Sequence, residues 1–215
     1  MQSCSIAFGR VLCRGAVALP LAFAALLSGC ATEPPLPPNA STSSAPNAAP
    51  LLDTVDFSFS GAGSPSFAKL KLCIAQHLTL PEVQLSDSAG SFVGPATGIH
   101  YRANNRQTVA GGSVFKYVDD ASAMLVATGI VRAVPALGGL VNDIVRFDLT
   151  AATRDTGVTL VFANITRAMQ STGSATNDGF NQVYVAPGSR SAAVYAALEV
   201  TTAKLKSCLV VPPPR

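Results

Sequence analysis

The stretch from residue 145 to 165 constrains the fold more than any other part of this chain. Val145, Phe147 and Leu149 alternate with Arg146, Asp148 and Thr150, so one side of the segment is apolar and the other polar. Thr153-Arg154-Asp155-Thr156-Gly157 then carries turn residues, and Val158 to Ile165 returns as a second apolar-rich run. Side chains alternate across a strand, so this pattern predicts an antiparallel hairpin with one buried face. A sheet with one apolar face needs a cover, and the remainder of the chain must supply it.

Two segments have the spacing of covering helices. Ser64 followed by Pro65 reads as an N-cap with proline at the first helical position, and Phe67, Leu70, Ile74 and Leu78 recur on one side before Pro81. Ser189 opens a second run with Val194, Leu198, Thr201, Leu205, Cys208 and Leu209, in which Lys204 and Lys206 favour the carboxyl end of the helix dipole. Further strands are expected at 54–60, 114–118, 121–134 and 183–185. For 121–134 the β-branched Val126, Thr128, Ile130, Val131 and Val134, together with Gly129, outweigh the helix-permissive Ala and Met. Residues 86–113 are rich in Gly, Ser, Asn and Thr, with short strand-like pieces around 98–102 and a turn at Asn104-Asn105. The expected class is α+β, an antiparallel sheet with two amphipathic helices packed on one face; a mostly β barrel or sandwich is the alternative.

Five cysteines sort by position. Cys4 and Cys13 fall in the first 29 residues and Cys30 follows directly. Cys73 and Cys208 remain, each on or beside the apolar stripe of a helix. They form a candidate disulfide if the domain meets an oxidising compartment; two separate buried thiols are the alternative. His77, four residues after Cys73, reads as a core-edge or capping residue, because the chain has only one other histidine, His100.

The amino terminus carries an address. Residues 1–14 hold Arg10 and Arg14 and no acid, and Gly15 to Leu27 is an apolar core too short to stay as a membrane helix. Leu27-Ser28-Gly29-Cys30 then resembles the lipobox of bacterial lipoproteins. The resemblance implies cleavage before Cys30, a diacylglyceryl thioether on its sulfur, and N-acylation. With Ala31 rather than Asp next, it also implies sorting to the outer membrane; the domain is expected to face the periplasm. Residues 31–50 contain six prolines and one charge and are expected to be an extended tether, reaching roughly 60 Å at about 3 Å per residue. Residues 51–215 are then a single globular domain. In its element order this domain resembles the small envelope-assembly lipoproteins of the lipopolysaccharide-assembly and curli-secretion families. A strand through Thr128-Gly129 followed by the hairpin at Asp155-Thr156-Gly157 carries the second likeness.

Charge and motifs narrow the functional classes. All 12 acidic residues but only 13 of the 15 basic ones lie beyond residue 29, so that part carries a formal charge of +1 and no nucleic-acid binding is expected. Gly61-x-Gly63 lacks the third glycine and the Lys-Ser/Thr of a phosphate cradle, and Gly111-Gly112-Ser113-Val114-Phe115 fails as a nucleophile elbow. Asp119-Asp120 is expected to be a solvated turn or a cap. Asn164-Ile165-Thr166 matches a glycosylation pattern that a bacterial context leaves idle. No catalytic, cofactor-binding or metal-binding residue is therefore assigned. The expectation is a non-enzymatic lipoprotein, held to the membrane through Cys30, that binds or supports another envelope component. The alternatives are a module for a small apolar or lipid ligand and an envelope hydrolase.

Overall fold

The computed structural model describes residues 35–44, 48–60, 65–133 and 142–210. The chain divides into compact units at 1–32 and 33–215, and all the described residues belong to the second. Cys30, Gly61-x-Gly63 and Ser64 lie outside the described residues.

The expected hairpin is the centre of the molecule. Strand β9 (Asp143–Arg154) and β10 (Gly157–Met169) pair antiparallel around a two-residue turn at Asp155-Thr156. Gly157 has φ +142°, and a Cβ there would stand 2.3 Å from the carbonyl oxygen of Phe59. Both the backbone conformation and the close approach therefore demand glycine. Around this pair an open antiparallel sheet builds out. Strand β2 (Leu51–Phe59) pairs with β10, and β1 (Ala40–Ser43) forms the edge beyond it. On the other side stand β8 (Met124–Arg132) and then β7 (Phe115–Asp119). The order is β1-β2-β10-β9-β8-β7, so the described sheet is not a closed barrel. The strand expected at 183–185 is a shorter ladder, β11 (Asn181–Gln182), which pairs with β10 beyond the end of β2, plus a bridge from Tyr184 to Leu51.

Strand β1 corrects the expected tether. Proline-rich composition favours extended backbone, but Ala40 to Ser43 is free of proline and can donate to a ladder. Leu36 packs against the core, and Asn39 Nδ2 donates to the Asp56 carbonyl at 2.8 Å. Folded structure thus begins well before residue 51.

Helix α1 (Phe67–His77) is capped by Ser66, whose Oγ accepts from the Lys69 amide at 3.3 Å. The cap lies two residues later than the sequence suggested, because Pro65 precedes the helix instead of opening it. Helix α2 (Ser191–Val210) follows Ser189, whose Oγ accepts from the Ser191 amide at 3.4 Å. It ends at Val210, and neither Lys204 nor Lys206 falls in its last turn. Lys69 of α1 serves there instead, donating to the Leu209 carbonyl at 2.6 Å, a cation placed at the negative end of the helix dipole.

Both helices share one core with the sheet. Leu70, Cys73 and Ile74 of α1 and Val194, Leu198 and Leu205 of α2 cluster with Val145, Phe147, Leu149 and Ala151 of β9. Phe162 meets Phe147 and Phe57 edge-on, with centroids 5.0 and 5.8 Å apart. Gly129 lies under the Phe147 ring, where a Cβ would meet it at 2.9 Å. That glycine makes room in the strand for the Phe147 ring. Tyr195 of α2 is buried and donates to Asn39 Oδ1 at 3.0 Å.

Candidate binding surface

Alternation along β9 that sends Val145, Phe147 and Leu149 into the core sends Arg146, Asp148 and Thr150 to the opposite side of the sheet. Asp148 is the hub there. It stands opposite Thr128 of β8 and Ala163 of β10. The Thr128 hydroxyl donates to Asp148 Oδ1 at 2.5 Å. Two irregularities bring the remaining partners. Between Ala163 and Thr166 the register of β10 shifts, and Asn164 adopts φ +51°. Its Nδ2 then reaches Asp148 Oδ2 at 2.9 Å. A second shift lies between Phe115 and Tyr117, and the intervening Lys116 places Nζ 2.7 Å from Asp148 Oδ1. Bulges re-aim side chains at the cost of one ladder position, and here two of them converge on a single carboxylate.

The electrostatics follow from that convergence. Partial burial on its own pushes the Asp148 carboxyl up. Hydrogen bonds from Lys116, Thr128 and Asn164, with the Lys116 charge, outweigh burial and hold it below its ordinary value. Asp148 is therefore an anion at neutral pH with both oxygens occupied. Such a group organises a surface and is poorly placed to donate or take a proton in a reaction. Beside it opens a cleft of about 350 Å³ lined by Lys116, Arg146, Asn164, Thr166 and Phe180.

The same side carries a second, smaller apolar cluster. Strands β3 (Val83–Asp87) and β6 (Asn105–Val109) pair antiparallel, and Val83 and Leu85 bury against Ile130, Ile144 and Ala168. The two strands form the base of an arm. Asp87 stiffens it by accepting from Asn105 Nδ2 at 2.6 Å and from the amides of Asn177 and Ala89, each at 3.0 Å; these bonds hold its carboxyl below the ordinary value. Further out, β4 (Phe92–Val93) and β5 (His100–Tyr101) pair across a turn between Gly94 and Ile99, not at Asn104-Asn105.

Of the residues singled out in the sequence, Cys73 and Cys208 are joined. Their Cα atoms lie 5.8 Å apart and the bond ties α1 to α2. His77 and His100 are both exposed and belong to separate elements. Asp119 is the expected turn, accepting from the Ala121 and Ser122 amides and the Ser122 hydroxyl, which lower its pKa. Asp120 pairs with Lys71. Ser113 spends its hydroxyl on the Phe115 carbonyl. Among the described residues no group of three or more His, Cys, Asp or Glu gathers as a metal site.

Sequence reasoning missed the Asp148 network and a second ionic group. Asp143 is fully buried, with Oδ2 3.1 Å from Arg167 Nη1 and 2.7 Å from Arg190 Nη1. The Arg167 contact is a hydrogen bond, whereas Arg190 meets the carboxylate as a charge contact without hydrogen-bond alignment. The polar half of the alternation marked Asp148 as outward-facing, but nothing in the sequence marked its partners. Comparison with family models and with curated proteins finds no match for this chain.

Proposed function

We propose that this chain is an exported bacterial lipoprotein, anchored at Cys30 in the outer membrane and facing the periplasm, whose folded domain works by binding or supporting another envelope component. The observation that carries the reading is the Cys73–Cys208 disulfide, which joins residues 135 apart in sequence. Such bonds persist in oxidising compartments, in agreement with the resemblance of residues 1–30 to an export signal and lipobox.

A binding role is supported by the chemistry of the sheet face opposite the helices. Asp148, Lys116, Thr128 and Asn164 satisfy one another, leaving a preorganised polar patch beside an open cleft. A catalytic carboxylic acid would need its pKa raised, and that of Asp148 is lowered. The apolar-ligand reading gains no support from the layer between helices and sheet, which Phe57, Phe147, Phe162 and Leu198 fill.

Two measurements test the proposal. Cys30→Ala should abolish membrane partitioning and lipid labelling; unchanged labelling would remove the anchor. A photo-crosslinking residue at Arg146 in intact cells should capture an envelope protein that the same residue at Val200, on the exposed side of α2, does not. Equal capture at both positions would remove the assignment of the binding surface.

A further inference from the structure

Beyond Asp87 the arm, to the end of β6 at Val109, contains Arg102 and Arg106 and no acidic residue. Its tip is the β4–β5 hairpin. Phe92 and Tyr101 stack there with centroids 4.9 Å apart and planes 17° from parallel. Even so, Phe92 is 56% exposed, Val93 59%, Ile99 56% and Tyr101 47%. Four large apolar side chains in water at one hairpin mark an interaction site.

The distribution of these groups selects the partner. Opposed residues of a ribbon share a side and successive ones do not, so Phe92 and Tyr101 stand on one side and Val93 and His100 on the other. A groove on a protein covers one side of such a ribbon, whereas a lipid interface surrounds its end. From Phe92 to Ile99 the tip carries no ionisable side chain, then come the amphipathic Tyr101 and the exposed Arg102 and Arg106. Apolar end, aromatic ring and cation follow the order of acyl boundary, headgroup and phosphate. Chain length supplies the proximity. The ten residues from Cys30 to Ala40 span at most about 35 Å, well short of the reach of a 20-residue tether. If the anchor is at Cys30, the domain stays near the bilayer.

We propose that the β4–β5 tip inserts into the interface of an anionic membrane, giving the protein a second, reversible contact with the lipid surface to which Cys30 anchors it. The proximity argument rests on that anchor reading. A second signal of this kind converts loose attachment into fixed orientation.

The chain has no tryptophan, so Phe92→Trp installs a single reporter. The full lipidated chain, with the Cys30 modification verified by mass, is incorporated into phosphatidylglycerol–phosphatidylcholine vesicles with brominated acyl chains. The Phe92→Trp emission should shift to the blue and lose most of its intensity, and Tyr101→Trp should behave alike if the first variant perturbs the ring stack. Val200→Trp, on the exposed side of α2, should keep its intensity. Replacing Arg102 and Arg106 by Glu, or omitting the anionic lipid, should restore the Phe92→Trp emission. Equal intensity at both reporters overturns the proposal. So does shielding of Phe92→Trp from aqueous iodide without bromolipid quenching, which would assign the tip to a protein or to a second copy. If the mass shows Cys30 unmodified, the anchor reading fails separately. Cosedimentation of that unmodified chain with the same vesicles then decides the tip: binding lost on Arg102→Glu/Arg106→Glu sustains it, and absence of binding overturns it.

Discussion

The two faces of the central sheet are built on opposite physical principles. On one, β9 and β10 present Val145, Phe147, Leu149, Val158, Leu160 and Phe162 to the two helices, and the contacts are non-directional. On the other, Asp148 is held by three named donors at fixed distances. The apolar face derives its stability from area and packing, so each deleted atom is felt. The polar face contributes little net stability, because its groups exchange water for one another. What it supplies is position. The same strands therefore form a wall of the core on one side and the proposed binding surface on the other.

That contrast can be broken most directly at Phe147. Phe147→Ala should destabilise the domain by about 3–5 kcal/mol in chemical denaturation, and a loss near that of a surface substitution would contradict the packed interlayer. Asp143→Ala should come next, at about 3 kcal/mol, because it leaves the Arg167 and Arg190 charges without their buried partner. A restored midpoint in a triple variant with both arginines made apolar would sharpen the point. Replacing Cys73 and Cys208 by Ser should cost about 2–4 kcal/mol, and non-reducing peptide mapping of the unmodified protein should recover the linked pair. Two free thiols would refute the bond.

Asp148→Ala belongs to the other face and should cost only about 1–2 kcal/mol, while abolishing crosslinks from Arg146. A stability loss as large as that of Phe147→Ala would erase the distinction between the faces. Titration gives the smallest effect. Asp87, Asp119 and Asp148 all have carboxyls held below the ordinary 3.8. Their stabilising contribution is complete above that value, where both folded and unfolded forms are ionised. It is lost as pH falls below 3.8 and through their lower folded values. Denaturation midpoints should be flat from neutral pH down to about 5 and then decline; Asp148→Asn should remove part of the decline.

Different elements of this fold were legible to different degrees. The β9–β10 hairpin and both helices were readable because each has a local period, two for the strands and 3.6 for the helices, and β8 was readable from its β-branched content. Cys73 and Cys208 were readable as a pair because each fell on the stripe of a helix. Strand β1 was hidden inside a proline-rich stretch, since an edge strand needs only a few free amides and a neighbour. The bond from Tyr195 to Asn39 was not legible because the two lie 156 residues apart in sequence. The Asp148 network was invisible for the same reason at shorter range: Lys116, Thr128 and Asn164 sit on three strands, and two of them arrive only through bulges.

The sequence by itself determined the local periods, an α+β expectation with a β barrel as its alternative, a candidate pair of cysteines and the resemblance to a lipoprotein export signal. These are properties of neighbouring residues or of residue type, and they survive without knowledge of the fold. Only the tertiary structure decided that Asp148 is a saturated hub, that Asp143 is a buried anion between two arginines, and that an acid-free arm ends in exposed aromatic groups. Each depends on register shifts and long-range approach, where displacement by one residue turns every side chain of a strand to the other face.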